Sequence, residues 1–231
     1  MPLGRKELGR RELLLAGAAL ALGAGGAAAR TASSRREFAL YHGDTRIGTK
    51  SLAVAQSEGQ VDVQLTLDVA VRMFGLTVYR QTVEARERWQ EGRLVAAEAA
   101  TNANGKRMSM RARREGDAVA VDGSAFSGHV SGNPATTSYW SPAFLSRGVW
   151  IDLAHGRPLR VTARNLGVER FPTVTGSVEA ARWRIGGEAD PVDLFFDGSG
   201  EWVGNEFQAA GDTARFVVAE RGRSLTALWV E

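Results

Sequence analysis

Asp152 and His155 stand three positions apart in Asp152-Leu153-Ala154-His155-Gly156-Arg157-Pro158, and their types and spacing suit acid–base chemistry. A carboxylate beside an imidazole fixes its tautomer and stabilises its cation, an arrangement that a hydrolase or isomerase uses. The same seven residues also read as a strand end running into a turn. The structural use outweighs the catalytic one, because spacing alone does not supply a triad's geometry. His42 and His129 are the other histidines, and no HxH or HxxxH pair occurs. Cysteine is absent, which removes disulfides, thiolate metal sites and a thiol nucleophile. No metal site and no cofactor site are expected. The run Gly43-Asp44-Thr45-Arg46-Ile47-Gly48-Thr49-Lys50 superficially suggests a phosphate loop, but it ends Thr-Lys and leads into an alternating strand pattern. Without a helix amino terminus to cradle the anion, its glycines shape a hairpin. There is no GxSxG elbow and no GxGxxG after a strand. Carboxylates fall mostly on wet strand faces; Glu98, set among alanines, is the one expected to point inward.

Aromatic residues form the second candidate constellation. Tyr139, Trp140, Phe144 and Trp150 crowd one irregular segment, Asn133 to Val149 with its flank, and Trp183 falls in an inward-facing set. They can fill the concave side of a curved sheet. They can also line a pocket in which an apolar or amphipathic small molecule binds. The second use makes these five the expected ligand-binding residues.

The elements that must position them are strands. Val61, Val63, Leu65, Leu67, Val69 and Val71 alternate with polar residues, and Tyr79, Val83, Ala85 and Trp89 alternate with Arg80, Glu84, Arg86 and Arg88. That period of two gives long strands with one wet face. Turn signals such as Glu58-Gly59, Glu91-Gly92, Asn104-Gly105 and Gly211-Asp212 recur at hairpin spacing. The pattern predicts an all-β domain, a long antiparallel meander of ten or so strands curled into a half-barrel or open barrel. One short helical segment is expected near 141–146, where Ser141 caps and Pro142 takes the first position. Lys106-Arg107 and Arg111-Arg113-Arg114 alternate with Met108, Met110 and Ala112, so they read as a solvated strand face, and no nucleic-acid partner is inferred.

The amino-terminal 29 residues have a different character. Arg5, Lys6, Arg10 and Arg11 precede a weakly apolar run, Leu13 to Ala29, that closes on Ala27-Ala28-Ala29. Arg10-Arg11 resembles a twin-arginine export signal, and Ala27 and Ala29 suit the cleavage positions. The run is short and glycine-interrupted for a spanning helix, so no stable membrane anchor is expected. The expected organisation is a signal over 1–29, a disordered linker over 30–36 and a single β domain over 37–231. The translocon is the expected export partner, and the mature protein is expected to be soluble in the periplasm. Removing the signal lowers the net charge from +3 to about +1, which leaves little long-range steering.

Phe38 to Gly48, Phe74-Gly75-Leu76-Thr77-Val78-Tyr79-Arg80, Glu87-Arg88-Trp89, Gly92-Arg93-Leu94 with Thr101 and Asn104-Gly105, and Ser138-Tyr139-Trp140 with Trp150 together resemble an uncharacterised bacterial periplasmic family, a domain of unknown function with signal-bearing members. The resemblance covers most of residues 36–220. More distantly, the meander is similar to the curved half-barrels of periplasmic lipoprotein carriers, which cup an acyl chain. That similarity implies a non-catalytic binding or carrier protein for an apolar or amphipathic molecule. The alternatives are an enzyme using Asp152 and His155, and an envelope assembly protein acting through an edge strand.

Overall fold

The computed structural model describes residues 32–221 and 224. Its strands are β1 (Ala32–His42), β2 (Thr45–Ser57), β3 (Gln60–Met73), β4 (Leu76–Gln90), β5 (Arg93–Ala103), β6 (Lys106–Glu115), β7 (Ala118–Gly123), β8 (Phe126–Ser131), β9 (Ala135–Thr136), β10 (Val149–Ile151), β11 (Pro158–Thr173), β12 (Gly176–Gly187), β13 (Val192–Asp197), β14 (Trp202–Ala209) and β15 (Asp212–Arg221). The all-β expectation holds. All fifteen join one sheet in the order β8-β7-β6-β5-β4-β3-β2-β1-β15-β14-β13-β12-β11-β10-β9. Every neighbour in that order is consecutive in sequence except β1 and β15, which pair antiparallel through Leu40 and Phe216. The meander therefore closes its first described strand on its last, and its break lies between β8 and β9. The pairing is antiparallel apart from β9 with β10, which is parallel.

Alternation decides which face goes inward. The rows Lys50–Leu67–Val83, Leu52–Leu65–Ala85 and Val54–Val63–Glu87 run across β2, β3 and β4 on the core side. Two-residue X-Gly turns at Glu58-Gly59, Phe74-Gly75, Glu91-Gly92, Asn104-Gly105 and Ala210-Gly211 have positive φ at both positions, which matches the strands' right-handed twist. The stretch expected to be a linker is strand from Ala32 onward, because Arg36 is buried and ion-paired with Glu201 and its neighbours pair with β2. Arg10, Arg11, Ala27 and Ala29 lie outside the described residues.

Two insertions complete the core. The first is the segment 132–157, which enters the concave side of the sheet. Its helical turn is a 3₁₀ turn, Pro142–Ser146, with the Ser141 hydroxyl accepting from Ala143 N at 3.3 Å and Pro in the first turn, as expected. The second is the far end of the β11–β12 hairpin, which folds back over the outer face of β13–β15. Phe171 stacks on Phe195 with ring centroids 4.0 Å apart, and Val174 N donates to Val218 O. This cover buries β13 from Val192 to Phe196 on both faces.

Candidate functional site

The inserted segment divides the concave side into a packed half and a hollow half. In the packed half, Trp89 on β4 meets Phe144 at 4.9 Å and Trp140 at 6.1 Å between ring centroids. Trp150 donates from Nε1 to Phe144 O at 3.1 Å. Trp140, Phe144 and Trp150 are buried, so three of the five aromatics expected to bind ligand serve as core. Trp183 is half-buried against the core on the inward face of Leu194, and it does not line the hollow half. Packing supplies the reason for the correction: an indole buried among other rings has no surface left for a ligand.

Tyr139 is the aromatic that does line the hollow half. The cavity measures about 700 Å³, with apolar walls from Leu65, Leu67, Val83, Leu159 and Phe216. Tyr139 has φ +65°, a conformation costly for a bulky side chain and common where structure is held for function. Its ring lies 5.7 Å from Trp150 and 6.1 Å from Trp202. Burial, and then the charges of Asp152 and Asp190, push the Tyr139 phenol above its ordinary pKa, so it stays a hydrogen-bond donor.

The sequence gives Lys50 and Glu87 no site role, placing them only in the rejected phosphate-loop run and in Glu87-Arg88-Trp89, yet they dominate the electrostatics. Both occupy inward positions of period-two strands, and that register is the signal that marks them. Lys50 is buried in the cavity wall; Nζ donates to Ser138 O at 3.2 Å and sits 4.5 Å from the Trp202 ring, 5.3 Å from Tyr139 and 5.7 Å from Phe216. Burial lowers its pKa to about 7, against a smaller upward pull from Glu87. Glu87 is buried behind it, accepting from Trp89 Nε1 at 2.8 Å and Thr136 Oγ1 at 2.8 Å. Burial raises its pKa and these hydrogen bonds offset part of the rise. Thr136 Oγ1 also lies 2.8 Å from Ser138 Oγ, so a polar column joins Glu87 to the residue that holds Lys50. Asn205, also buried and lining the cavity, has no hydrogen-bond partner for Oδ1 among the described residues. Glu98, expected to face inward, instead pairs with Arg86 on the outer face at 3.3 Å.

Exposed His155, Arg157, Asp190 and Gln208 mark the cavity mouth. Here Asp152 Oδ2 meets His155 Nδ1 at 2.7 Å, so the two do converge. Asp152 also accepts from Ala154 N through Oδ1 and from Gly156 N through its carbonyl, which is the work of a turn former. Gly156 (φ +77°) lets that turn approach Gly123, and Ala125 N donates to His155 O at 3.0 Å across the break in the sheet. A larger groove of about 880 Å³ crosses the outer face of β3–β8, where Arg86, Arg88, Glu98 and Asp62 are exposed and paired with one another. Arg107, Arg111 and Arg113 stand on that same solvated face.

The sheet and its plug match a family model, DUF6134, a domain of unknown function, over residues 38–219. The chain belongs to the DUF6134 family. A DUF6134 chain so built is also similar to a solved structure, the beta-barrel-like protein of domain of unknown function DUF1849 from Brucella abortus. That match has a TM-score of 0.56 and 11% identity, and it covers 84% of this chain and 98% of that one. At that identity the likeness concerns the fold. A comparison with curated proteins gave no match.

Proposed function

We propose that this DUF6134 protein is a non-catalytic binding or carrier protein for an amphipathic small molecule with an anionic head. The observation that carries the proposal is Lys50, a buried amine in the wall of a cavity whose apolar lining includes Leu65, Leu67, Val83 and Phe216. A cation held among rings and aliphatic side chains costs free energy unless an anion joins it. The unpaired Oδ1 of Asn205 is an acceptor, so it suits a hydroxyl or amide N–H beside the head rather than the anion itself, and the apolar walls suit a hydrocarbon body. The curved half-barrels of lipoprotein carriers offer a fold-level analogy, here with segment 132–157 in place of inserted helices. The twin-arginine-type segment over residues 1–29 supports a periplasmic setting for this role, with the twin-arginine translocon as the export partner.

Asp152 and His155 favour a second reading, an enzyme acting at the cavity mouth, because their 2.7 Å contact holds a carboxylate–imidazole pair there. An edge-strand assembly role has less to work with, since the sheet's edges, β8 and β9, are six and two residues long.

Native mass spectrometry of protein purified from the periplasm, with titration by anilinonaphthalene sulfonate and displacement by a long-chain fatty acid, tests the carrier reading. The expected result is a bound amphipath, with affinity about tenfold or more weaker in Lys50→Met, the scale of a lost charge-assisted hydrogen bond. Ligand-free protein that ignores both probes would defeat it. A bound molecule that accumulates in altered form only when His155 is intact would favour the enzyme.

A further inference from the structure

Beyond the cavity, the β3–β4 hairpin carries an unexplained apolar tip. Val69–Gln81 is the last pair of this hairpin flanked on both sides, by Gly48 of β2 and Ala103 of β5. Arg80 is still held by Asn104, whose N donates to Arg80 O at 2.8 Å, but from Val71 to Tyr79 the two strands pair only with each other, so they project as a finger. Residues 72–78 are all exposed. Phe74 is 100% exposed, Leu76 72%, Met73 55% and Val78 50%; the other large apolar side chains exposed among the described residues belong to the β11–β12 hairpin. Phe74 occupies the first central position of its turn at φ +49°, where glycine, asparagine and aspartate are favoured. A solvated hairpin has no use for a strained, fully exposed phenylalanine there.

Charge and location identify what covers this tip. Arg72 and Arg80 flank it; Arg80 reaches Asp68 at 3.4 Å, while Arg72 has no ion-pair partner among the described residues. The adjoining β5–β6 turn leads into Lys106-Arg107, and Arg46 is the second residue of β2 at the same end. Of the acids at this end, Asp44 and Asp212 lie on the β1 and β15 side, and Asp122 lies at the end of β7. Asp152, Glu188 and Asp190 lie by the cavity mouth with Arg157 and Arg160, away from the finger's tip. Gln81, at the finger's root, lines the cavity whose mouth opens at this end. We propose that the β3–β4 finger docks the protein reversibly on an anionic lipid bilayer. Met73, Phe74 and Leu76 enter the boundary between headgroups and acyl chains, and Arg72 and Arg80 lie among the phosphates. A narrow convex wedge fits a bilayer, whereas a protein partner needs roughly 800 Å² per side, more than four side chains on a finger supply. The docked orientation turns the cavity mouth towards the membrane; that consequence rests on the carrier reading, while docking itself does not.

Vesicle co-sedimentation with the protein tests this, using equal parts phosphatidylglycerol and phosphatidylcholine, and phosphatidylcholine alone. The protein is expected to sediment with the anionic vesicles, and Phe74→Trp should show a blue-shifted emission on binding them. Phe74→Ser with Leu76→Ser should weaken binding by about tenfold or more, consistent with the apolar area withdrawn, with thermal unfolding unchanged. Arg72→Ala with Arg80→Ala should abolish the preference for anionic lipid. Lys50→Met should bind vesicles like the unaltered protein, so a failed cavity and a failed finger give different results. Absence of sedimentation, or binding unaffected by the serine substitutions, would overturn the proposal. So would a dimer that those substitutions dissolve.

Discussion

Lys50 sets a pH dependence of definite sign at the residue scale. Its folded pKa is about 7 against an ordinary value of 10.5, so between those values the unfolded chain holds a proton that the folded chain has released. Stability from this group therefore rises as pH climbs from about 7 towards about 10.5. Below about 7 the amine is charged in both states, and the full cost of burying the cation is present. Lys50→Met is expected to stabilise the protein by about 1–4 kcal/mol near pH 6, and the gain should vanish towards pH 10. Urea unfolding of both proteins across that range checks it, and a gain that stays constant with pH would rule out the buried amine as its source. Binding of an anionic probe should weaken over the same window, as the ammonium loses its proton. From the sequence, Lys50 was one of three lysines and Glu87 one carboxylate among many. Period two put both on the apolar face, but whether an inward register ends in a cavity or in close packing depends on distant residues, Ser138 lying 88 positions from Lys50 and Thr136 49 from Glu87.

Elements were the most legible scale. The alternation in β3 and β4, the X-Gly turns and the capped Ser141-Pro142 turn all translate directly into local structure, because each depends on residues within a few positions. What stayed hidden was cover. Val192, Leu194 and Phe196 alternate as a one-sided strand should, yet Asp193 and Phe195 are buried as well, since the β11–β12 hairpin lies across the other face. Gly204 carries the demand of that cover. A Cβ there would come within 2.2 Å of Phe216 O and 2.5 Å of the Phe171 ring. Gly204→Ala is expected to cost about 1–3 kcal/mol or more by overpacking. Calorimetric melting would check it, and an unchanged midpoint would mean that the hairpin does not press on β14.

At the scale of the whole molecule, half-barrel curvature was legible from strand number and twist, while the closure of β1 on β15 was not, because no local pattern specifies a partner so distant in sequence. The closed order predicts an uneven map of local opening. Amides of β1, β14 and β15, paired on both sides, should exchange with deuterium slowest, and those of residues 71–79 should exchange early. Mass spectrometry of exchanged peptides reads this directly, and equal protection in the finger and in β1 would contradict the topology. The same closure bears on the order of events during synthesis. β1 is among the first strands to leave the ribosome, yet one of its edges waits for residues 212–221, so a nascent chain carries that edge unpaired through most of its own translation. Long-range pairing of this kind also makes the final annealing slow relative to the hairpins that precede it. The nascent chain is thus open to misassociation at β1 until its last described strand arrives, which is the interval in which a holding chaperone would act on it.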